Sequence, residues 1–213
     1  MLAVVGMKRN KNPRIIIITG GIGTGKSEVT HILKEMGFEV LDSDKIVHEG
    51  YRVGEEMYNN VYNFFGKDII DSDGTLNRQK LGQIVFNDGE KLKRLNEIIH
   101  SSVYKKLFEN INKSNSNVIF LDIPLALENK QNTSKLNYDE IWLIYVNSEV
   151  QKERLVQRAI KENKNPNDVL KIISNQLSIE EKRNMADEII DNEGTLDELK
   201  FEVNKLLKRK GLI

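Results

Sequence analysis

The chain has no cysteine, which excludes disulfide bonds, thiolate metal sites and cysteine nucleophiles. Its three histidines, at positions 31, 48 and 100, do not have the spacing of a metal site. No apolar run approaches the roughly 20 residues that span a bilayer. The first residues also lack the charge order of a secretory signal. We therefore expect a cytoplasmic protein that makes no use of a membrane.

An excess of charge of one sign is missing as well, because 32 Lys and Arg residues balance 32 Asp and Glu residues. Binding to a polyanion through overall charge is not indicated, so any anion site must be built locally. The basic segment 205–210 is interpreted as a solvated helix end rather than a nucleic-acid site. A chain of 213 residues can bury one sizeable core, alone or with a small appended lobe.

Short apolar runs recur along the chain and alternate with helical patterns. The predicted strands are 14–19, 38–43, 117–123, 140–146 and 187–191. Several are almost continuously apolar, which is typical of parallel strands that are covered on both faces. One helical stripe begins at Val29 and ends at Gly37, a residue type that often terminates helices. The alternation predicts an α/β fold with a doubly wound sheet, interrupted by a helical insertion over 44–116.

The segment Gly20–Ser27 fits the pattern G-x-x-x-x-G-K-[ST] and lies between a predicted strand and a predicted helix. Its glycines let the backbone turn N–H groups towards phosphates, and the helix N-terminus adds partial positive charge. Lys26 would reach the β- and γ-phosphates, and the Ser27 hydroxyl would bind Mg²⁺. A glycine-rich turn with an incidental lysine is the alternative. In this context the motif predicts a nucleotide site.

Two acidic residues follow predicted strands. Asp42 and Asp44 would project the same way if the second strand continued through them, at the carboxyl edge of the sheet. There Asp44 could accept the proton of an attacking hydroxyl, although it could instead cap the next helix. Asp122 ends the strand "VIFLD", where a carboxylate can hold Mg²⁺ or its water shell. The alternative for Asp122 is an ordinary turn residue.

Arg154 and Arg158 stand four residues apart, so they share one face of a predicted helix. Paired guanidinium groups can clamp phosphate oxygens, but a solvated charged face gives the same spacing. The chain has no Asn/Thr-Lys-x-Asp element that would recognise guanine. A small-molecule kinase is therefore favoured over a GTPase, and a nucleotide-binding module without transfer activity remains as the alternative from another class.

Several segments, taken together and in this order, resemble the dephospho-CoA kinase family. They are "TGGIGTGKS" (19–27), "LDSDKI" (41–46), "GTLNRQKLGQIVFND" (74–88), "LNEIIH" (95–100), "LDIPLALE" (121–128), and Gln176 followed by "EKRNMADEIIDNEG" (181–194). The resemblance extends over roughly residues 14–210. The phosphate loop is shared by many families, whereas the other segments are specific as a set.

The resemblance implies a P-loop kinase fold with a five-stranded parallel sheet and helices on both faces. It implies a single kinase domain over 14–213 and an N-terminal extension over 1–13. Within that domain it implies a core (14–43, 117–157 and 171–213), a helical substrate-binding insertion (44–116) and a lid (about 158–170). The implied reaction is the MgATP-dependent phosphorylation of the ribose 3′-hydroxyl of dephospho-CoA, which gives coenzyme A and ADP. A kinase for another small hydroxyl or nucleotide acceptor is the nearest rival.

The resemblance also assigns roles to individual residues. Asp44 would be the catalytic base and a substrate contact, and Lys26, Arg154 and Arg158 would act on the phosphates. Arg78 and His100 would contact dephospho-CoA, and Ser27 and Asp122 would hold Mg²⁺. The residues that would bind ATP are Gly21, Ile22, Gly23, Thr24, Gly25, Lys26, Ser27 and Glu28, with Asn192 and Gly194 near the adenine. No nucleic acid and no obligate protein partner is expected.

Four positions depart from the family pattern. His48 stands where arginine is usual, so a neutral imidazole would offer less anion binding there. Ser101 replaces a common proline, and Ala159 replaces an acid that often follows the second lid arginine. Glu28 replaces the usual threonine, and places a carboxylate in the first helical turn.

Overall fold

The computed structural model describes residues 13–174 and 176–213. The predicted N-terminal extension lies outside this range except for Pro13. The chain divides into two compact units. The first contains the described residues up to Leu41 together with Ser114–Ile213, and the second is Asp42–Lys113.

The first unit is built on a five-stranded sheet. Its strands are β1 (Arg14–Gly20), β2 (Glu39–Asp42), β3 (Val118–Asp122), β4 (Glu140–Tyr145) and β5 (Glu188–Asp191). Their order across the sheet is β2-β3-β1-β4-β5, and β1 pairs in parallel with both β3 and β4. The predicted five-stranded parallel sheet is confirmed, with strand ends that differ from the sequence-based bounds by at most one residue.

Strand β1 is central because its side chains are apolar on both faces. Ile15, Ile16, Ile17 and Ile18 are each 0% exposed. Ile16 and Ile18 belong to a core cluster that also includes Phe120 and Trp142 from the neighbouring strands. A strand buried on both faces is a rigid support, and the glycine-rich segment follows it directly.

Helices surround the sheet and form most of the second unit. Those of the first unit are α1 (Lys26–Glu35), α6 (Lys130–Thr133), α7 (Ser148–Lys161), α8 (Pro166–Ser174), α9 (Ile179–Arg183) and α10 (Leu196–Arg209). Those of the second unit are α2 (Ser43–Gly50), α3 (Glu56–Phe65), α4 (Arg78–Phe86) and α5 (Gly89–Lys113). Short 3-10 helices cover Lys67–Ile69 and Ser134–Leu136.

Each unit has its own apolar core. In the first, α1 and α10 pack on one face of the sheet through Leu33, Val203 and neighbouring residues. Ile179 of α9 packs on Leu143 and Tyr145 of β4 in a separate cluster. The second unit buries apolar side chains of α3, α4 and α5 against one another; they include Val61, Leu81, Val85, Leu95 and Ile98. Among residues 13–174 and 176–213, no helix has the length and apolar character needed to cross a membrane.

Charged side chains join the amino ends of three strands to the end of α10. Lys210 Nζ lies 2.7 Å from Glu140 Oε2 and also contacts Glu188, while Arg14 pairs with Glu140. Trp142 Nε1 donates to Glu140 Oε2 at 2.9 Å. Burial alone would raise the pKa of Glu140, but hydrogen bonds from Lys210, Trp142 and Arg14 outweigh it and lower that pKa to about 2. The cluster therefore favours the ionised carboxylate.

We expect Glu140→Gln to lower the free energy of unfolding at pH 7 by about 2 kcal/mol, because it removes charged hydrogen bonds. A carboxyl group with a lowered pKa stabilises the fold above its unfolded-state pKa and loses that contribution as the pH falls towards its folded-state pKa. The difference in the free energy of unfolding between the parent protein and Glu140→Gln should therefore be largest above pH 4.5 and disappear towards pH 2. Urea unfolding followed by circular dichroism measures it.

The matched control is Glu202→Gln, because Glu202 pairs with Lys205 on the exposed side of α10. Exposed pairs contribute little, so this variant should unfold within about 0.5 kcal/mol of the parent protein. If the loss of unfolding free energy in Glu140→Gln did not depend on pH, the assignment of the lowered pKa would be contradicted.

Candidate active site

The glycine-rich segment connects the buried strand β1 to helix α1. Gly23 and Gly25 both have φ of 85°, in the left-handed region that glycine adopts without a steric penalty. Gly25 is the N-cap residue of α1, and no side chain in the described part of the chain caps that helix. The N-terminus of α1 therefore offers backbone N–H groups of the kind that bind phosphate.

Lys26 and Asp122 form an ion pair beside this loop. Strand β3 lies next to β1 in the sheet, with Asp122 opposite Ile18, and Lys26 is the first residue of α1. The two side chains are only 15% and 6% exposed. Ser27, the next residue, is exposed. The fold thus brings together the lysine and the carboxylate that were selected from the sequence, and Ser27 follows Lys26 directly in α1.

Buried polar side chains donate hydrogen bonds to the carbonyl groups of the loop. Gln151 Nε2 donates to the carbonyl oxygen of Ile22 at 2.8 Å, and Asn192 Nδ2 donates to that of Thr24 at 2.8 Å. The Thr24 hydroxyl donates to the carbonyl of Gly21 at 2.9 Å. Gln151 is 4% exposed, Asn192 8% and Thr24 0%. These bonds hold three carbonyl groups of the loop in fixed positions.

Sequence reasoning missed the contribution of Gln151. The sequence could have indicated it, because Gln151 lies on the same helical stripe as the buried residues Leu155, four positions later, and Ala159, eight positions later. A polar residue on a buried stripe needs a hydrogen-bond partner, which here is the loop. The side chain of Asn192, which was expected near an adenine, contacts the loop as well. Gly194 is exposed, and any contact of these two residues with adenine stays a prediction.

The two arginines of α7 have different surroundings. Arg154 Nη2 donates to the backbone carbonyl of Asn192 at 2.8 Å, so it lies close to the residue that supports the loop. Arg158 is exposed, and its Nε donates to Glu162 Oε1 at 2.7 Å. Hydrogen bonds from Arg158 and Lys164 lower the pKa of Glu162 to about 2. Arg154 therefore lies close to the loop, whereas Arg158 forms an ion pair with Glu162 at the end of its own helix.

Asp44 is an exposed residue in the first turn of α2. Strand β2 ends at Asp42, so the strand alternation used in the sequence analysis does not apply to Asp44. The alternative that Asp44 caps the helix is also wrong, because Asp42 is the N-cap and accepts from the Lys45 N–H at 3.0 Å. The proposed role of Asp44 as a base stays a prediction.

In the second unit Arg78 contacts two residues of the α2 region. Its Nη2 lies 3.1 Å from His48 Nδ1, and its guanidinium lies over the Tyr51 ring, 5.1 Å from the centroid. Because a guanidinium has donors and no acceptor, Nδ1 of His48 is the acceptor in this contact. Burial raises the pKa of Tyr51, and the positive charge of Arg78 opposes that rise. Arg78 is thus positioned by a residue that departs from the family pattern.

His100, the other expected substrate contact of this unit, is half-buried in α5. Its ring packs edge-on against Tyr104, with 6.4 Å between centroids. A contact of Arg78 or His100 with a substrate stays a prediction. His31 lies on the exposed face of α1, as expected for a helix surface residue, and its Nε2 lies 3.3 Å from Glu35 Oε1.

The fold and the loop together define a class of protein. A parallel sheet whose central strand leads into a lysine-containing phosphate loop, with a carboxylate at the end of the adjacent strand, is the architecture of P-loop kinases. Comparison with known proteins then gives the family.

The sequence profile of the dephospho-CoA kinase family matches residues 14–198. A dephospho-CoA kinase of Aquifex aeolicus is 40% identical over 189 residues, which cover 89% of this chain and 93% of that protein. The crystal structure of TT1252 from Thermus thermophilus gives a TM-score of 0.76 at 30% identity. The solved structure of a dephospho-CoA kinase from Campylobacter jejuni gives a TM-score of 0.61 at 26% identity. Both comparisons cover 93% of this chain and 98% of the other. The chain belongs to the dephospho-CoA kinase family.

We expect Gly25→Ala to weaken ATP binding by at least about tenfold, since alanine is strained in the left-handed region. Its Cβ would also lie 2.1 Å from Asn192 Nδ2 and displace the amide that holds the loop. Isothermal titration calorimetry with ATP measures the change.

Gly82→Ala is the matched control for Gly25→Ala. Gly82 is in helix α4, and among the described residues no atom beyond the adjacent residues and the backbone of that helix lies within 4 Å of a Cβ built there. This variant should bind ATP as the parent protein does. Equal affinities in both variants would show that the conformation of Gly25 does not matter for binding.

Proposed function

We propose that this protein transfers the γ-phosphoryl group of ATP to the ribose 3′-hydroxyl of dephospho-CoA, giving coenzyme A and ADP. The observation that carries the proposal is the family match over residues 14–198, which includes the phosphate loop and the whole second unit. The proposed location is the cytoplasm, as the sequence predicts.

The phosphate loop is the proposed site for the ATP phosphates. The left-handed glycines and the N-terminus of α1 supply N–H donors, and Lys26 supplies a positive charge. The ion pair with Asp122 keeps Lys26 at the loop, so little conformational entropy is lost when a phosphate arrives. The adenine is proposed to lie near Asn192 and Gly194, after β5.

The residues beside the loop fit a magnesium ion. Ser27 and Asp122 offer oxygen donors, which Mg²⁺ prefers, and this ion is commonly held by one or two protein groups together with phosphates. We propose that these two residues would hold it. When bound, the metal would neutralise charge on the phosphates.

The proposed chemistry is a direct displacement. The ribose hydroxyl oxygen forms a bond to the γ-phosphorus, the bond from that phosphorus to the β–γ bridging oxygen breaks, and ADP leaves. Asp44 accepts the hydroxyl proton. Lys26 and Arg154 stabilise the negative charge on the transferred group, which is the main contribution a protein makes to phosphoryl transfer.

The proposed lid, about 158–170, begins in the last turn of α7 and extends into α8. To bind the phosphates, Arg158 would have to leave its ion pair with Glu162 and contact a phosphate oxygen instead. Closure of the lid over ATP would favour this exchange. Closure would also exclude water and so suppress ATP hydrolysis. Arg78 and His100 are proposed to bind dephospho-CoA in the second unit.

Incubation of the purified protein with MgATP and dephospho-CoA, followed by mass spectrometry, tests the function. Coenzyme A should form with the parent protein and with Lys34→Ala, because Lys34 is exposed at the end of α1. It should not form with Lys26→Ala. ADP without coenzyme A would favour a different hydroxyl acceptor, and neither product would favour a nucleotide-binding module.

Asp44→Asn should lower kcat by about 10²–10⁴-fold while the Kd for ATP stays nearly unchanged, because the variant removes a base and keeps the size of the side chain. Asp42→Asn is the control from the same motif. Asparagine caps helices as well as aspartate does, so this variant should keep both helix α2 and activity. Unchanged turnover in Asp44→Asn would remove Asp44 from the mechanism.

A further inference from the structure

Helix α7 contributes more than arginines to the candidate site. Its residues Gln151, Arg154 and Leu155 lie on adjacent turns of one face. Gln151 binds the Ile22 carbonyl, and Arg154 binds the Asn192 carbonyl. A Cβ added at Gly23 would lie 2.9 Å from Leu155 Cγ, which shows how closely the loop packs on this face.

We infer that Gln151 is a positioning residue for ATP binding, which acts by holding the Ile22 carbonyl of the phosphate loop away from the phosphates. A peptide group carries its N–H and its carbonyl on opposite sides, so a carbonyl bound on the α7 side directs the following N–H the other way. Gln151 thereby orients the N–H of Gly23, and Asn192 does the same for the N–H of Gly25 through Thr24.

Burial makes this contact a strong constraint. Gln151 is 4% exposed, so water cannot readily replace either partner of its bond to Ile22. The amide also fills the space beside Gly21, since a Cβ there would lie 2.4 Å from Gln151 Nε2. The next nearest atoms to that Cβ are at 3.6 Å, an ordinary contact distance. A methyl group at position 21 would therefore displace the Gln151 amide, whereas the backbone of Gly21 is not left-handed.

The first test is Gln151→Met, which keeps the length and helix propensity of the side chain and removes the N–H donor. The Kd for ATP, measured by calorimetry without dephospho-CoA, should rise about tenfold. In the complete reaction KM for ATP should rise while KM for dephospho-CoA stays constant. A general loss of structure would not produce this split between the two substrates.

Gln157→Met is the matched control, because Gln157 is an exposed glutamine of the same helix whose Nε2 donates to Glu153 Oε1 at 3.4 Å and not to the phosphate loop. It should leave the Kd for ATP and the melting temperature unchanged. A Kd for Gln151→Met within twofold of the control, in a folded protein, would overturn the inference.

A double-mutant cycle tests the same contact without depending on methionine. Gly21→Ala alone should weaken ATP binding about tenfold, because its methyl group displaces the Gln151 amide. The double variant Gly21→Ala with Gln151→Ala should bind ATP no more weakly than either single variant, because the methyl group then occupies the space of the removed Gln151 amide. Losses that multiply in the double variant would overturn the inference.

The inference depends on the proposed use of ATP but not on the identity of the acceptor. If coenzyme A does not form while ATP binding follows the cycle above, the proposed acceptor is wrong and the role of Gln151 stands. If coenzyme A forms while the cycle is additive, the function stands and the role of Gln151 falls.

Discussion

The orientation of the peptide groups in one short loop is the constraint on which the site depends. N–H groups that face phosphates leave their carbonyl groups facing the protein, where each buried carbonyl needs a donor. Buried amides from α7 and from the end of β5 supply two of them, and the Thr24 hydroxyl supplies a third within the loop itself. The sheet order that places β1 between β3 and β4 is what brings these elements to the loop. The proposed phosphate site of a chain without net charge thus relies on oriented backbone dipoles together with nearby cations such as Lys26.

Much of this could be predicted from the sequence because it is encoded locally. The four isoleucines specify a strand buried on both faces, and the glycines that follow permit the left-handed turns before α1. Lys26 and Asp122 were each selected from motifs, although the ion pair between them was not predicted. The family resemblance, which rests on several such segments, is confirmed by the match over residues 14–198.

The remainder depends on contacts between distant parts of the chain. Gln151 and Ile22 are separated by 129 positions, and Asn192 and Thr24 by 168, so no local pattern specifies their hydrogen bonds. The expectation for Asp44 was wrong in its geometry for a different reason. The strand ends at Asp42, one residue before its predicted end and two before Asp44, because the Asp42 side chain caps α2 and starts the helix there. A capping hydrogen bond overrides strand periodicity at that point.

The distribution of aromatic residues has a spectroscopic consequence. The single tryptophan, Trp142, is 0% exposed in the core of the first unit and packs on Phe120. The second unit contains no tryptophan, and its aromatic side chains are tyrosine and phenylalanine. Indole emission therefore reports the first unit alone, whereas tyrosine absorbance also carries a contribution from Tyr51, Tyr58, Tyr62 and Tyr104 of the second. The first unit of this kinase can consequently be followed by itself in an unlabelled sample.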